Sequence, residues 1–316
     1  MGNMRGAFRI LVPAAVVIAS LLFLPVCAGA VAGPQFLVDA NWLGLHGGKV
    51  VVVDVRKSSE YAKGHLPGAI NIPVNSLQTS PDAIMFPVSR EEKILGADGL
   101  DINRDVVLYG AGREMAYLEF WMLDYLGMRR IHVLNGGIEQ WRGQLATGET
   151  KLSPAVFKAR PDPARYATTA FVRGRLKKPG IILLDVRTPG EYAGTDVRSL
   201  RGGHIPGAIN INYAENFQKN TTVLKPASEL KKIYAKLDRG QQIVTYCQTG
   251  TRAANTYFVL RELGFPRVRV YDASWIQWGS NPSLPADDVS YFNFVSVLKS
   301  IKKLQAEIKA LKGQGK

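Results

Sequence analysis

The residue best suited to covalent chemistry is Cys247, which stands between an apolar run and a predicted helix. The run over residues 243–246 is typical of a buried strand, and helical spacing begins near Thr251. A turn from strand to helix directs several backbone N–H groups at one point, and the helix dipole adds positive potential there. The pattern therefore predicts a cysteine thiolate that attacks an anionic substrate.

The residues after Cys247 also suit an anion-binding loop. Glycine allows backbone conformations that other residues avoid, hydroxyl groups donate hydrogen bonds, and arginine supplies a cationic fork. We expect five consecutive residues to bind the substrate: Gln248, Thr249, Gly250, Thr251 and Arg252. The alternative is that Cys247 is an unreactive core thiol, because free cysteines are often buried.

Four further residues are expected to support this loop. Asp185 and Arg187 lie at the end of another apolar run, and we predict that they hold the strand end and its loop through hydrogen bonds. Ser274 and Trp275 follow a third apolar run. Trp275 and Trp278 are expected to be packing residues, and the alternative for Ser274 and Trp275 is that they line the pocket.

The histidines and cysteines are too dispersed for a zinc-like ligand cluster. The sequence contains only His46, His65, His132, His204, Cys27 and Cys247. We therefore expect no metal site and no cofactor.

The chain contains an internal repeat, which sets its architecture. Tyr109 matches Tyr246, and from each tyrosine it is 17 residues to a Leu-Gly pair and 32 to a tryptophan. Three earlier segments recur in the same order: 51–56 as 182–187, 60–62 as 191–193, and 64–71 as 203–210. His65 and His204 occupy the same repeated turn, which favours a shared structural role.

Each copy alternates short apolar runs with helical segments. Strands are predicted over 50–55, 106–109, 131–134, 181–186, 243–246 and 268–271, and helices over 113–126 and 251–263. This alternation predicts the α/β class, with a mostly parallel sheet in each copy and helices on both of its faces. We expect domains at 36–143 and 168–285, joined by a proline-containing linker at 144–167.

The first copy lacks the nucleophile. Gly110 stands where Cys247 would align, and Glu114 stands in place of Thr251. We expect the first domain to be structural and to form one wall of the site in the second.

Residues 1–30 have the pattern of a signal peptide. Two arginines precede an apolar run over 10–26, and residues 28–30 match an A-x-A cleavage site. We expect export to a bacterial periplasm, and the alternative is a membrane-anchored form that retains the run. Cleavage removes both arginines, lowers the net charge from +14 to 14 − 2 = +12, and leaves Cys247 as the only cysteine.

The carboxyl-terminal segment, residues 286–316, is predicted to be a basic amphipathic helix. Apolar residues recur there at three- and four-residue steps: Phe292, Val295, Leu298, Ile301, Leu304, Ile308 and Leu311. From residue 289 onward, six lysines and one glutamate give a net charge of 6 − 1 = +5. We expect the helix to dock on the second domain of a monomer. The alternatives are contact of residues 289–312 with an anionic membrane surface or with a partner helix.

Taken in order, these motifs resemble tandem rhodanese-type sulfurtransferases over residues 36–285. The shared motifs are Asp-Val-Arg, Glu-Tyr, Gly-His-(Leu/Ile)-Pro-Gly-Ala-Ile-Asn, Tyr-Cys-x-x-Gly-x-Arg, and Tyr-Asp-Ala-Ser-Trp at 271–275. The resemblance implies two rhodanese-like domains, the first inactive and the second active. It also implies that Cys247 takes the outer sulfur of thiosulfate as a persulfide and passes it to a thiophilic acceptor such as cyanide or a thiol.

The loop also differs from two branches of that family. Animal-type thiosulfate sulfurtransferases carry an arginine where this chain has Glu191. Relatives that use 3-mercaptopyruvate have Cys-Gly-Ser-Gly-Val-Thr in place of residues 247–252. The comparison favours thiosulfate, a small anionic sulfur donor.

Three other functions can be weighed. A cysteine phosphatase of related fold would have Cys-x5-Arg, but four residues separate Cys247 from Arg252. A non-catalytic protein that binds sulfur or a partner stays open. The positive charge could attract nucleic acid, but no recognition motif is present, so we expect it to attract small anions instead.

Overall fold

A computed structural model describes residues 1–2, 35–79, 83–291 and 293–314 of the chain. Residues Gly33–Lys316 form a compact unit that contains every helix and strand described below. The predicted signal peptide lies outside the described residues, apart from its first two positions. Within the described ranges, no helix combines the length and the hydropathy that crossing a membrane requires.

Short strands from each copy of the repeat assemble into separate sheets. The described strands are β1 (Leu37–Val38), β2 (Val51–Asp54), β3 (Ile70–Asn71), β4 (Val106–Tyr109), β5 (Ile131–Leu134), β6 (Tyr166–Ala167), β7 (Ile181–Asp185), β8 (Ile209–Asn210), β9 (Gln242–Tyr246) and β10 (Val268–Tyr271). The first sheet has the order β1-β5-β4-β2-β3 and the second β6-β10-β9-β7-β8, with parallel pairing throughout. The two orders are equivalent, as duplication of one domain requires.

Helices connect these strands on both faces of the sheets. The described α-helices are α1 (Ala40–His46), α2 (Ser58–Tyr61), α3 (Val88–Ala97), α4 (Met115–Leu126), α5 (Thr169–Arg173), α6 (Pro189–Tyr192), α7 (Ala227–Ile233), α8 (Thr251–Glu262), α9 (Ser274–Ser280) and α10 (Phe294–Gln314). Single 3-10 turns lie at Gly47–Lys49, Val74–Leu77, Gly137–Gln140 and Tyr213–Asn216. The predicted α/β class with parallel sheets is confirmed.

The three central strands of each half agree with the sequence prediction to within one residue at either end. The edge strands β1, β3, β6 and β8 were not predicted, because two residues are too short to show a periodic pattern. β6 lies inside the predicted linker at 144–167 and pairs with β10, so the second sheet begins before that linker ends.

One continuous apolar core joins the two halves. Helices α4 and α8, which occupy equivalent places in the repeat, pack against each other and fill it with buried aromatic and aliphatic side chains. Smaller buried clusters cover the opposite face of each sheet, with Leu43 of α1 in the first half and Trp275 and Trp278 of α9 in the second. The second half is therefore held against the first by burial of apolar surface.

Helix α10 does not dock on the second domain, and that prediction is wrong. Its apolar side chains remain 43% to 69% exposed: Phe294, Val295, Leu298, Ile301, Leu304, Ile308 and Leu311. The helix begins at Phe294, later than the predicted position 289.

Candidate active site

Cys247 directly follows β9, the central strand of the second sheet, and is fully buried. Its backbone is held from two directions. The N–H of Cys247 donates to Oγ of Ser274 (3.2 Å), and its carbonyl accepts from the N–H of Trp275 (2.9 Å). Ligands of parallel sheets bind at this carboxyl edge of the strands, because the loops there converge on one crevice.

The loop after Cys247 contains a run of unpartnered backbone donors. Among the described residues, the N–H groups of residues 248–252 donate no hydrogen bond within the protein. Helix α8 begins at Thr251, so its positive dipole end lies at the same loop. An anion bound there would find both donors and favourable potential.

Gly250 gives this loop its shape. Its φ angle is +85°, which is accessible to glycine but disfavoured for residues with a side chain. A Cβ at this position would lie 2.9 Å from the carbonyl oxygen of Asp272 and 3.1 Å from its Oδ1. Burial raises the pKa of Asp272 to about 7, and its Oδ2 accepts the N–H of Met85 from the first half. The back of the loop therefore rests on an interdomain contact.

Arg252 is held by Glu191 rather than left free for a ligand. Two hydrogen bonds join them, Nη1 to Oε2 at 2.7 Å and Nη2 to Oε1 at 2.8 Å. Burial alone would raise the pKa of Glu191, but the hydrogen bonds and charge of Arg252 lower it to about 2. Conversely, burial would lower the pKa of Arg252, while the Glu191 hydrogen bonds and the Cys247 thiolate charge raise it. Both terminal nitrogens of the predicted cationic fork therefore already donate to a carboxylate of the protein.

The side chain of Gln248 also turns away from the predicted ligand position. Its Nε2 donates to Oγ of Ser199 at 2.8 Å and to the carbonyl of Arg198 at 3.1 Å. Arg198 in turn binds Glu191 at 3.3 Å. Gln248 therefore offers a ligand only its backbone N–H, because its side-chain donors fasten a neighbouring loop.

The hydroxyl residues lie at the mouth of the loop. The Oγ1 atoms of Thr249 and Thr251 are 3.5 Å apart. Thr249 is half-buried, whereas Thr251 is 8% exposed. Of the predicted binding residues, Thr249 and Arg252 are the two with the most accessible surface.

Asp185 and Arg187 form a buried, hydrogen-bonded framework at the end of β7. Nη2 of Arg187 donates to Oδ2 of Asp185 (2.6 Å) and to the carbonyl of Gly203 (2.7 Å). The Arg187 guanidinium also lies 4.6 Å from the ring centre of Trp275. Arg187 and Trp275 are each 1% exposed and pack behind the loop as part of this framework.

The first half reaches the site through Glu114. Its Oε1 accepts a hydrogen bond of 2.7 Å from the hydroxyl of Tyr213, and burial with this bond raises the pKa of Tyr213 to about 12. The Arg252 guanidinium lies 5.8 Å from the ring centre of Tyr213. The residue that replaces Thr251 in the first copy is therefore linked to the site in the second.

Sequence reasoning missed Arg198, Ser199 and Tyr213. A signal existed for the first two. From the repeated Glu-Tyr to the repeated Gly-His, the second copy is (203 − 191) − (64 − 60) = 8 residues longer than the first. These eight extra residues, 195–202, are called the insertion below and contain both Arg198 and Ser199. An insertion that is present only in the copy with the cysteine indicates a role at the site.

The sequence and fold of this chain resemble those of known proteins. A protein-family model, Rhodanese-like domain, matches residues 38–144 and again residues 168–281. The chain belongs to the rhodanese-like family. The two matched segments correspond to the two sheets, so the duplication predicted from the sequence is a duplication of this domain.

Relatives of this rhodanese-like protein are named as sulfurtransferases. A thiosulfate sulfurtransferase of Corynebacterium glutamicum is 33% identical over 276 residues, covering 81% of this chain and 91% of the relative. One from Azotobacter vinelandii is 31% identical, covering 76% and 91%. These similarities support a rhodanese-type sulfurtransferase.

Solved structures resemble the same two-domain arrangement. The 3-mercaptopyruvate sulfotransferase SseA of Escherichia coli superposes with a TM-score of 0.69 at 26% identity, covering 76% of this chain and 99% of that one. Wild-type EanB shares the fold with a TM-score of 0.73 at 24% identity, covering 79% of this chain and 68% of that one.

Within the described residues, no three His, Cys, Asp or Glu side chains are grouped as a metal site would require.

Proposed function

We propose that this rhodanese-like protein moves a sulfane sulfur from thiosulfate to a thiophilic acceptor through a persulfide on Cys247. The observation that carries the proposal is the loop of unpartnered N–H groups, residues 248–252, directly after a cysteine at the end of a central strand. A persulfide and a sulfonate are both anions, and this loop offers donors to both.

The first half-reaction exchanges one S–S bond for another. The Cys247 thiolate attacks the outer sulfur of thiosulfate, and sulfite leaves with the electron pair of the bond that breaks. In the second half-reaction, the acceptor attacks the terminal sulfur of the persulfide. Cyanide leaves as thiocyanate, and the Cys247 thiolate is restored. Charge balances in each step without an added oxidant or reductant.

The residues around Cys247 have different roles in this proposal. The loop amides hold the charged sulfur, and the hydroxyls of Thr249 and Thr251 meet the sulfonate oxygens. Arg252 acts mainly through its charge, because both of its terminal nitrogens already donate to Glu191. The same ion pair disfavours a phosphatase, which would need both of those nitrogens to bind the phosphate oxygens, whereas the proposed sulfur transfer uses only the charge of Arg252.

Thiosulfate is preferred as donor for two reasons. Relatives at about 30% identity are named thiosulfate sulfurtransferases. The loop sequence also differs from the one found in relatives that use 3-mercaptopyruvate. The resemblance to SseA makes 3-mercaptopyruvate the alternative donor to include in the assay.

The test is mass spectrometry of reduced protein after brief exposure to thiosulfate and removal of the excess. The peptide that contains Cys247 is expected to gain about 32 Da, and cyanide is expected to remove this mass and release thiocyanate. Cys247→Ser is the control and should gain nothing. If wild-type protein stays unmodified by thiosulfate but is modified by 3-mercaptopyruvate, the donor is wrong. If neither donor modifies it, a non-catalytic binding role takes its place.

We propose export to the periplasm for the same protein, supported by the basic, apolar and A-x-A pattern of residues 1–30. Protein recovered from a periplasmic fraction should begin at Val31. An intact amino terminus in the membrane fraction would favour the anchored form instead.

A further inference from the structure

Helix α10 presents a regular apolar seam of six residues, of which five are exposed and Val297 is half-buried. Writing its 21 residues as heptads from Phe294 puts apolar side chains at every a and d position. Positions a are Phe294, Ile301 and Ile308, and positions d are Val297, Leu304 and Leu311. An alternation of four- and three-residue steps that holds for three heptads is the pattern of a coiled coil.

The charged side chains avoid this seam. Lys299, Lys302, Lys303 and Lys309 fall at the outer positions b, c and f. Glu307 and Lys312 fall at the flanking positions g and e, which border a second helix in a coiled coil. The other four lysines would stay in solvent if another helix covered the seam, and their mutual repulsion would be screened by salt.

We infer that α10 pairs with α10 of a second copy of this chain in a parallel, two-stranded coiled coil. A second copy fits because the seam is self-complementary: the second and third heptads have β-branched isoleucine at a and leucine at d, which favours two parallel strands. A membrane surface is the other occupant that the test below distinguishes, because the exposed Val295 at b and Leu298 at e widen the apolar face near the start of the helix.

The segment just before α10 is bound to the active half. Just before the helix, Tyr291 forms a β-bridge with Arg201, and the carbonyl of Ser290 accepts the N–H of Gly202 at 2.8 Å. Both partners belong to the insertion, whose Ser199 binds Gln248 of the active loop. Pairing through α10 would thus bring two active halves to the same end of a dimer.

The test is sedimentation equilibrium of residues 33–316, which retain the whole compact unit and omit the apolar amino-terminal segment. Wild-type protein is expected to show the mass of two chains and to dissociate on dilution. Leu304→Glu places a charge in the seam and should give monomers. Ala306→Glu adds the same charge at outer position f and should leave the dimer intact. Sulfur transfer and thermal unfolding of both variants check that the domains stay folded.

Val297→Cys tests the direction of the helices. In a parallel pair, the two copies of residue 297 meet at one d layer and should form a disulfide across the dimer under mild oxidation. In an antiparallel pair they lie at opposite ends of the seam, so no cross-link forms and the parallel arrangement is overturned.

Other outcomes overturn the proposal outright. Monomeric wild-type protein at all accessible concentrations would do so, as would a dimer that Leu304→Glu leaves unchanged. Monomers that float with vesicles containing phosphatidylglycerol, but not with phosphatidylcholine alone, would assign the helix to a membrane surface instead. None of these results depends on sulfur transfer, so they do not bear on the proposed function.

Discussion

In the first half Arg56 binds Asp54, and in the second half Arg187 binds Asp185. The four hydrogen bonds within each pair agree between the halves to within 0.1 Å. Each arginine also donates to the carbonyl of a glycine in the repeated Gly-His turn. Because this framework is complete in the half that has no cysteine, it serves the fold rather than the chemistry.

The repeated histidines lead to the same conclusion. His65 stacks on Tyr61 and His204 on Tyr192, each with ring centres 3.8 Å apart. In both halves the histidine Nδ1 also lies 3.0 Å from the carbonyl oxygen of that tyrosine. A catalytic role for His204 would not explain an identical His65, so the predicted structural role accounts for both.

The halves differ in whether the backbone N–H groups of the loop after the central strand donate hydrogen bonds within the protein. In the first half Gly112 donates to Oε1 of Glu139 at 2.7 Å, so a carboxylate of the protein already occupies that donor. In the second half the equivalent of Glu139 is Ile276, and the equivalent of Gly112 is Thr249, whose N–H is free within the described structure. We therefore expect activity to need a nucleophile and also an unoccupied N–H group at this position.

The largest effect is expected from moving the nucleophile between the halves. Cys247→Ser should reduce thiosulfate:cyanide transfer to the rate of the uncatalysed reaction, because no sulfur remains to carry the persulfide. Adding Gly110→Cys should restore nothing, since the carboxylate of Glu139 disfavours a thiolate beside it. Thiocyanate production measures both. Rescue by Gly110→Cys would show that the first loop retains a competent donor set.

The next effect concerns the shared framework. Arg187→Ala leaves the fully buried carboxylate of Asp185 without its partner, and should lower the free energy of unfolding by about 3–5 kcal/mol. Arg56→Ala is the matched control and should cost nearly as much, because Asp54 is equally buried while Arg56 is slightly more exposed. Urea unfolding followed by fluorescence measures both. A large loss at Arg187 alone would give the second framework a role that the first lacks.

A smaller stability effect separates the two copies at acid pH. The pKa of Glu191 is about 2 in the folded protein, below its ordinary value of 4.5. The stabilisation is present above the unfolded pKa and is lost as pH falls through the folded one. Its size is about 2–3 kcal/mol, lost between roughly pH 4.5 and 2. Unfolding free energy measured against pH should be flatter in Glu191→Gln and unchanged by Glu60→Gln, the equivalent substitution in the first copy.

The smallest effect is on substrate affinity. Glu191→Gln removes one negative charge beside Arg252, so the KM for thiosulfate should fall by about two- to threefold at low salt. Glu60→Gln should not change it. Steady-state kinetics at two ionic strengths test this, with the difference shrinking as salt rises. A higher KM in Glu191→Gln would mean that Glu191 matters more for placing Arg252 than for its charge.

Much of the fold could be predicted because burial of parallel strands leaves a strong mark on sequence. Continuous runs such as residues 106–109 and 243–246 mark strands that are buried on both faces, and the motifs that recur in the same order predicted two equivalent domains. The edge strands escaped prediction because each contributes only two paired residues. The docking of α10 was mispredicted because an apolar stripe says that a helix has a partner but not which one.

The candidate site divides in the same way. Cys247, its glycine and its position before α8 could be read from local pattern, since strand, turn and helix follow one another along the chain. The partners of Gln248 and Arg252 could not, because Ser199 and Glu191 lie 49 and 61 residues away from them. Residue type alone indicated an amide and a guanidinium available to a ligand. In the structure, Nε2 of Gln248 and both terminal nitrogens of Arg252 already donate to groups of the protein.

By itself the sequence determined which copy carries a nucleophile, since Gly110 and Cys247 differ in chemistry whatever the fold does. It also determined the doubled parallel architecture, because local periodicity and repeat order survive in one dimension. Only the tertiary structure decided which polar groups remain free. A donor is satisfied or unsatisfied according to what packs against it, and that neighbour comes from another element: Glu139 on Gly112 in the first half, and Glu191 on Arg252 in the second.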